Sequence, residues 1–171
     1  MTDLTIPQLF FRQAARYAQR PVFWVKRGGS YQSITWQQAQ RTVESLATRL
    51  LGLGVNPGDR IAILSENRPE WAMADLAIQS AGAWTVPIYP SLPTPDVLMI
   101  LKDAEPVVCI ASALEQLKKF RLNRPQVPTI RLVIVMDAAA VEPQVEQTWE
   151  EDVRQGAALT RRSGHSLPQR I

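Results

Sequence analysis

The chain has one cysteine, Cys109, and one histidine, His165, in 171 residues. A single cysteine excludes an internal disulfide, and such sparing use fits a reducing compartment. One histidine with one cysteine and scattered carboxylates does not make a zinc site, which groups four ligands at fixed spacing. No apolar run reaches the roughly 18 residues of a membrane span. Residues 1–11 lack the basic start and apolar core of a secretory signal. The expectation is a cytoplasmic protein without a transmembrane segment, with a peripheral membrane position as its variant. A large excess of one charge is also missing: nineteen basic residues face sixteen acidic ones, a net charge of +3. Spread along the chain, these charges do not suggest a nucleic-acid footprint, which needs clustering on one face.

Several catalytic signatures are absent too. There is no G-x-S-x-G, so a serine-hydrolase elbow has no support. There is no G-x-x-x-x-G-K-[ST] phosphate loop. Gly52, Gly54 and Gly58 have the spacing G-x-G-x-x-x-G and follow a helix. A dinucleotide turn needs its glycines between a strand and a helix start, so that the helix N-terminus faces the pyrophosphate. The geometry is reversed, and these glycines read as a helix stop and a turn. A nucleotide-binding oxidoreductase, the reading that alternating strands and helices alone invite, loses its fingerprint with them.

What is present is a globular composition, 46% hydrophobic and 20% charged, long enough for one domain with a sizeable core. Thr5 can cap a first helix with Pro7 in its first turn, and Leu9, Phe10, Gln13, Ala14 and Tyr17 follow helical spacing. Val22–Val25 and Tyr31–Ile34 read as a hairpin about Gly28-Gly29. Thr35-Trp36-Gln37-Gln38 is a capping box, and the helix after it places Ala39, Val43, Leu46, Ala47, Leu50 and Leu51 on one face. Ile61–Leu64 is apolar on both faces, as a buried parallel strand is. A helix follows from Pro69, then a strand Trp84–Ile88, then a helix that Thr94 caps and Pro95 opens. Val107–Ala111 and Leu132–Met136 are further strands. Ser112-Ala113-Leu114-Glu115 and Thr148-Trp149-Glu150-Glu151 are two more capping boxes.

From residue 60 to residue 136, short strands alternate with helices of ten or more residues, the pattern of βαβ units. The expected class is α/β: a mostly parallel sheet with flanking helices, preceded by a helix and a β-hairpin. Residues 161–171 are polar and without a periodic face, and are expected to form a poorly ordered tail.

Most candidate site residues have a plain structural explanation. Cys109 lies in an apolar strand and reads as core rather than as a reactive thiolate. His165 sits in the polar tail, a poor place for a general base. Lys118, Lys119, Arg121 and Arg124 read as a solvated helix end. Two regions have some claim on ligands. Glu66, Arg68 and Glu70 follow a strand end, where ligands gather in open α/β sheets. The structural alternative there is an Arg68–carboxylate pair with Asn67 capping the next helix. Trp84, Pro87, Ile88, Tyr89 and Pro90 could border a pocket for a hydrophobic group, with core packing as the alternative.

Three blocks carry a family resemblance. They are Ile61-Ala62-Ile63-Leu64-Ser65-Glu66-Asn67-Arg68-Pro69-Glu70-Trp71, then Ala74-Asp75-Leu76-Ala77 with Gly82-Ala83, then Val86-Pro87-Ile88-Tyr89-Pro90-Ser91-Leu92-Pro93. With Tyr31–Trp36, they resemble the N-terminal portion of adenylate-forming enzymes, most of all the long-chain fatty acyl-CoA ligases. The resemblance covers about residues 5–160, so residues 1–160 are expected to be a partial domain of that family. It implies lipid metabolism, with fatty acid, ATP, magnesium and coenzyme A used by the full-length family. It implies an acyl-adenylate, then coenzyme A displacing AMP. The family's Ser/Thr/Gly-rich loop ending in Pro-Lys-Gly is not in this sequence, nor are its later motifs. No catalytic, cofactor-binding or metal-binding residue is therefore assigned, and a fragment inactive alone is expected. A non-catalytic binding module built on the same fold is the alternative. As a partial domain, it is expected to leave strand edges and apolar faces exposed until the missing remainder covers them.

Overall fold

Two sheets of opposite character organise the chain. They are seen in a computed structural model that describes residues 4–137 and 145–163. Helix α1 (Ile6–Tyr17) starts from a reciprocal capping box: Thr5 Oγ1 accepts from Gln8 N and Gln8 reaches back to Thr5 N. Its buried side is Pro7, Phe10, Phe11 and Ala14, so Leu9 is outside the core face expected of it. Strands β1 (Pro21–Arg27) and β2 (Ser30–Thr35) form a separate antiparallel pair. Gly28 and Gly29 turn it with φ of 56° and 83°, the positive values that a two-residue hairpin turn needs. Phe23 lies opposite Ile34 and both pack on the core. Trp24 opposite Ser33 and Lys26 opposite Tyr31 take the other, outward face.

Helix α2 (Trp36–Gly52) begins at the predicted Thr35–Gln38 capping box. It is followed by β3 (Arg60–Leu64), α3 (Pro69–Ser80), β4 (Trp84–Ile88), α4 (Thr94–Ala104), β5 (Val108–Ala111) and α5 (Leu114–Asn123). After a 3-10 turn at Arg124–Gln126 come β6 (Leu132–Val135), β7 (Glu146–Thr148) and α6 (Trp149–Ser163). The five strands run parallel in the order β4-β3-β5-β6-β7.

Alternation along these strands divides the core in two. Ile61, Ile63, Val108, Ile110, Leu132 and Ile134 face a layer of α1, α2, α3 and α6. Ala62, Leu64, Cys109, Ala111, Val133 and Val135 face α4 and α5. Each of these Ile and Leu side chains contributes about 1.5–3 kcal/mol on full burial. Pro87 is tolerated because β4 is an edge strand among the described residues, where a missing N–H breaks no ladder. Cys109 is fully buried and burial pushes its thiol up, which fits a core role.

Several local expectations are corrected. Helix α4 starts at Thr94 itself with Pro93 as N-cap, so Thr94 does not cap it. Helix α5 has Ala113 as N-cap, and the Ser112 hydroxyl is buried without a partner among the described residues. Thr148 Oγ1 does accept from Glu151 N, but the Glu151 carboxylate goes to Arg154 and Gln155. Strand β7 and the 3-10 turn carry no apolar period and were not expected. Helix α6 continues through Arg161 to Ser163, past the expected start of the polar tail. His165 lies outside the described residues.

Candidate functional site

The order of the sheet reverses between β3 and β5. The chain leaves β3 for α3 on one face and leaves β5 for α5 on the other, which opens a crevice at the carboxyl ends of the strands. Arg68, the N-cap residue of α3, reaches into that gap. Its Nε donates to Glu70 Oε2 at 2.9 Å, its Nη2 to Asp137 Oδ1 at 2.8 Å, and its Nη1 lies 3.5 Å from the Ser112 carbonyl oxygen. One guanidinium thereby ties the ends of β3, β5 and β6 together. Burial works against its charge, but the hydrogen bonds to Asp137 and Glu70 outweigh that and raise its pKa. Of the expected Glu66–Arg68–Glu70 cluster, Arg68 and Glu70 come together, while Glu66 is exposed. Helix α3 has no side-chain cap, so the expected Asn67 cap is not formed. The partner that sequence reading missed is Asp137, 69 residues from Arg68.

Beside this latch lies a pocket of about 230 Å³ lined by Ser65, Asn67, Trp71, Pro87, Ile88 and Tyr89. Its walls come from the end of β3, the first turn of α3 and the end of β4. Three of the residues expected to border an apolar pocket, Pro87, Ile88 and Tyr89, are here. Trp84 is at the opposite end of β4 and points to solvent. Ser65 Oγ donates to the Glu66 carbonyl, which leaves Asn67 as the main polar group of the rim. The loop after β4 is held from below: Lys119 Nζ donates to the carbonyls of Pro90 at 2.6 Å and Leu92 at 3.0 Å, and Asn123 Nδ2 to that of Thr94. Lys119 is thus mostly buried, not part of a solvated helix end. Arg121 likewise pairs through two bonds of 2.7 Å with Glu146, which is buried in β7.

A second cavity, of about 460 Å³, lies at the opposite edge of the sheet among Arg121, Arg124, Pro125, Pro128, Ile130, Val133 and Glu146. The Gly52–Gly58 stretch lies at the end of α2 and in the turn before β3, away from the strand carboxyl ends.

The chemistry of this donor set is that of a binding wall. It offers aromatic and aliphatic surface, one amide and one guanidinium already held by two carboxylates. No group of three or more His, Cys, Asp or Glu able to hold a metal ion occurs among the described residues, and none of their helices is long and apolar enough to cross a membrane.

A three-layer α/β/α unit with an apolar pocket at its strand ends defines a class that comparison narrows. Residues 10–168 match the model of the AMP-binding enzyme family, and the chain belongs to that family. It is 31% identical over 134 residues to the long-chain-fatty-acid–CoA ligase heimdall of Drosophila melanogaster, covering 76% of this chain and 20% of that protein. It is 40% identical over 100 residues to the L-proline–[L-prolyl-carrier protein] ligase of Streptomyces coelicolor, covering 58% and 18%. The solved acetoacetyl-CoA synthetase of Streptomyces lividans superposes with a TM-score of 0.79 at 27% identity, over 88% of this chain and 25% of that one. The chain spans about a fifth of the length of these two curated relatives.

Proposed function

We propose that this chain is the N-terminal portion of an ATP-dependent acid–CoA ligase whose acid is a long-chain fatty acid. The match to the AMP-binding family over residues 10–168 carries the reading. The likeness to a long-chain-fatty-acid ligase and the apolar Trp71–Pro87–Ile88–Tyr89 pocket support the choice of acid. The likeness to a prolyl ligase over the same part indicates a shared scaffold whose pocket is adapted to different acids.

The reading brings ATP, magnesium and coenzyme A as co-substrates of the whole enzyme, with an acyl-adenylate as its intermediate. This chain's part is to orient an apolar acid and exclude water from it, while Arg68 holds the strand ends in register. The workplace we read as the cytoplasm, in contact with a membrane surface.

The purified chain, given ATP, magnesium and palmitate, should yield no acyl hydroxamate above a protein-free blank when hydroxylamine is added. Acyl-adenylate formation would overturn the assignment of inactivity. Palmitate binding measured by calorimetry should weaken about tenfold in Trp71→Ala, from loss of a large apolar wall. Unchanged binding would move the acyl site elsewhere. A non-catalytic binding module is the second reading, favoured by the closed core on both sheet faces. A chain that binds palmitate, folds cooperatively and gains no adenylation when the rest of the enzyme is added in trans would establish it.

A further inference from the structure

Charge is not evenly spread once position is considered. Residues 4–35, which make up α1 and the hairpin, contain five cations (Arg12, Arg16, Arg20, Lys26 and Arg27) and no carboxylate. The first 60 residues hold eight basic and three acidic residues, and the other 111 hold eleven and thirteen. Arg12, Arg16, Arg20 and Lys26 are all exposed. No ion pair engages any of them among the described residues. Arg16 and Arg20 each lie 5.2 Å from the Tyr17 ring instead.

The same unit exposes large apolar side chains. Trp24 is 62% exposed and Tyr31 is 70% exposed. Strand register puts both on the outer face of the hairpin, with Lys26 directly across from Tyr31. Helix α1 adds Ile6 and Leu9 on its solvent side, three residues apart and a turn before Arg12. Tryptophan and tyrosine beside lysine and arginine, with no acidic residue among them, is the composition of a surface that sits at a lipid headgroup layer. The rings enter the boundary region and the cations stay in water at the anionic headgroups.

We propose that the outer face of the β1–β2 hairpin, with the exposed cations of α1, docks on an anionic lipid bilayer. The partner is a negatively charged membrane surface, met without a spanning segment. This inference is independent of the acyl pocket, which lies at the carboxyl ends of β3 and β4, and its test uses vesicles free of fatty acid.

The full chain is mixed with vesicles of phosphatidylcholine alone, or with about a third of phosphatidylserine, and floated through a density gradient. Flotation separates bound protein from aggregates, which sink. The chain should float with the anionic vesicles at least tenfold more readily than with neutral ones, and should lose this at high salt as screening shortens the electrostatic reach. Lys26→Glu should weaken binding more than the roughly fivefold expected for neutralising one cation near the surface. Trp24→Ala with Tyr31→Ala should weaken it at least tenfold. Both side chains are exposed, so the thermal melt should not move. Trp84→Ala, equally exposed on the parallel sheet, should bind like the parent. Brominated lipid should quench part of the tryptophan emission, and Trp24→Phe should remove that part. Equal binding to neutral and anionic vesicles, no flotation at all, or hairpin variants that float like the parent would each overturn the proposal. So would tight binding of an oligonucleotide that anionic vesicles do not displace, which would make this face a nucleic-acid surface.

Discussion

The two helical layers over the parallel sheet are closed by different means. On one side, α2 and α6 pack against each other backbone to backbone, with Gly156 set against the Ser45 carbonyl and Leu159 against Gly52. An ion pair is enclosed between them: Arg49 Nε donates to Asp152 Oδ1 at 2.8 Å, and Asp152 is fully buried. On the other side, α4 and α5 meet through side chains. There the Arg121–Glu146 pair borders an open cavity rather than a helix seam. The first layer is limited by volume and the second by charge, so one methyl group should matter most in the first and one lost cation most in the second.

Gly156→Ala tests the first layer and should have the largest effect. A Cβ there would overlap the Ser45 carbonyl oxygen, forcing α6 off α2. A loss of about 3 kcal/mol is expected from overpacking, against roughly 1 kcal/mol gained in helix propensity. Urea unfolding gives the sign, and a stabilised variant would mean that the helices are not in contact at this point. Arg121→Met tests the second layer. It removes both Arg121 hydrogen bonds from Glu146, 2% exposed at its side chain. The cost should be about 2 kcal/mol, below the usual range for a broken buried pair because Arg121 is itself a third exposed. If the midpoint of denaturation does not move, the pair is not what holds β7.

Asp152 adds a pH dependence to the first layer. Burial raises its pKa and the hydrogen bond from Arg49 only partly offsets this. Its folded value therefore lies above the unfolded one. The corresponding stability is present below the ordinary carboxylate range and is lost as pH rises through the folded value. Relative to Asp152→Asn, the parent should lose ground as pH rises from about 4 toward neutrality. Parallel thermal melts of both chains across that range would show it, and a constant gap would dismiss the shift. The smallest effect is expected at the end of β5. Ser112→Ala removes a buried hydroxyl with no partner among the described residues and should be neutral or stabilising by up to about 1 kcal/mol. A loss above that, in the same melts, would point to a partner that the hydroxyl does have.

The elements were legible where a local pattern sufficed. A capping threonine followed by proline placed the start of α1, and a capping box of threonine and glutamine three residues apart placed that of α2. The expected cap at Thr94 and the expected capping box at Ser112 did not form. There the strand end and the packing of the next helix decide where the backbone turns, and neither is visible within four residues. Three of the pocket residues, Pro87, Ile88 and Tyr89, were readable as an apolar strand end. Ser65, Asn67 and Trp71 join them only because β3 pairs beside β4.

Sequence by itself determined the alternating parallel architecture, the family and the identity of the strands other than β7, since apolar period and capping chemistry act between near neighbours. Tertiary structure decided which charges are free and which are spent. Arg68, Lys119 and Arg121 look alike on paper, yet each is drawn inward by a carbonyl or carboxylate at least 25 residues away. Arg12, Arg16, Arg20 and Lys26 meet no such partner among the described residues, and remain at the surface. The reason is physical: a buried cation persists only where opposite charge or carbonyl oxygen replaces its water, and that replacement comes from segments that only the fold brings near.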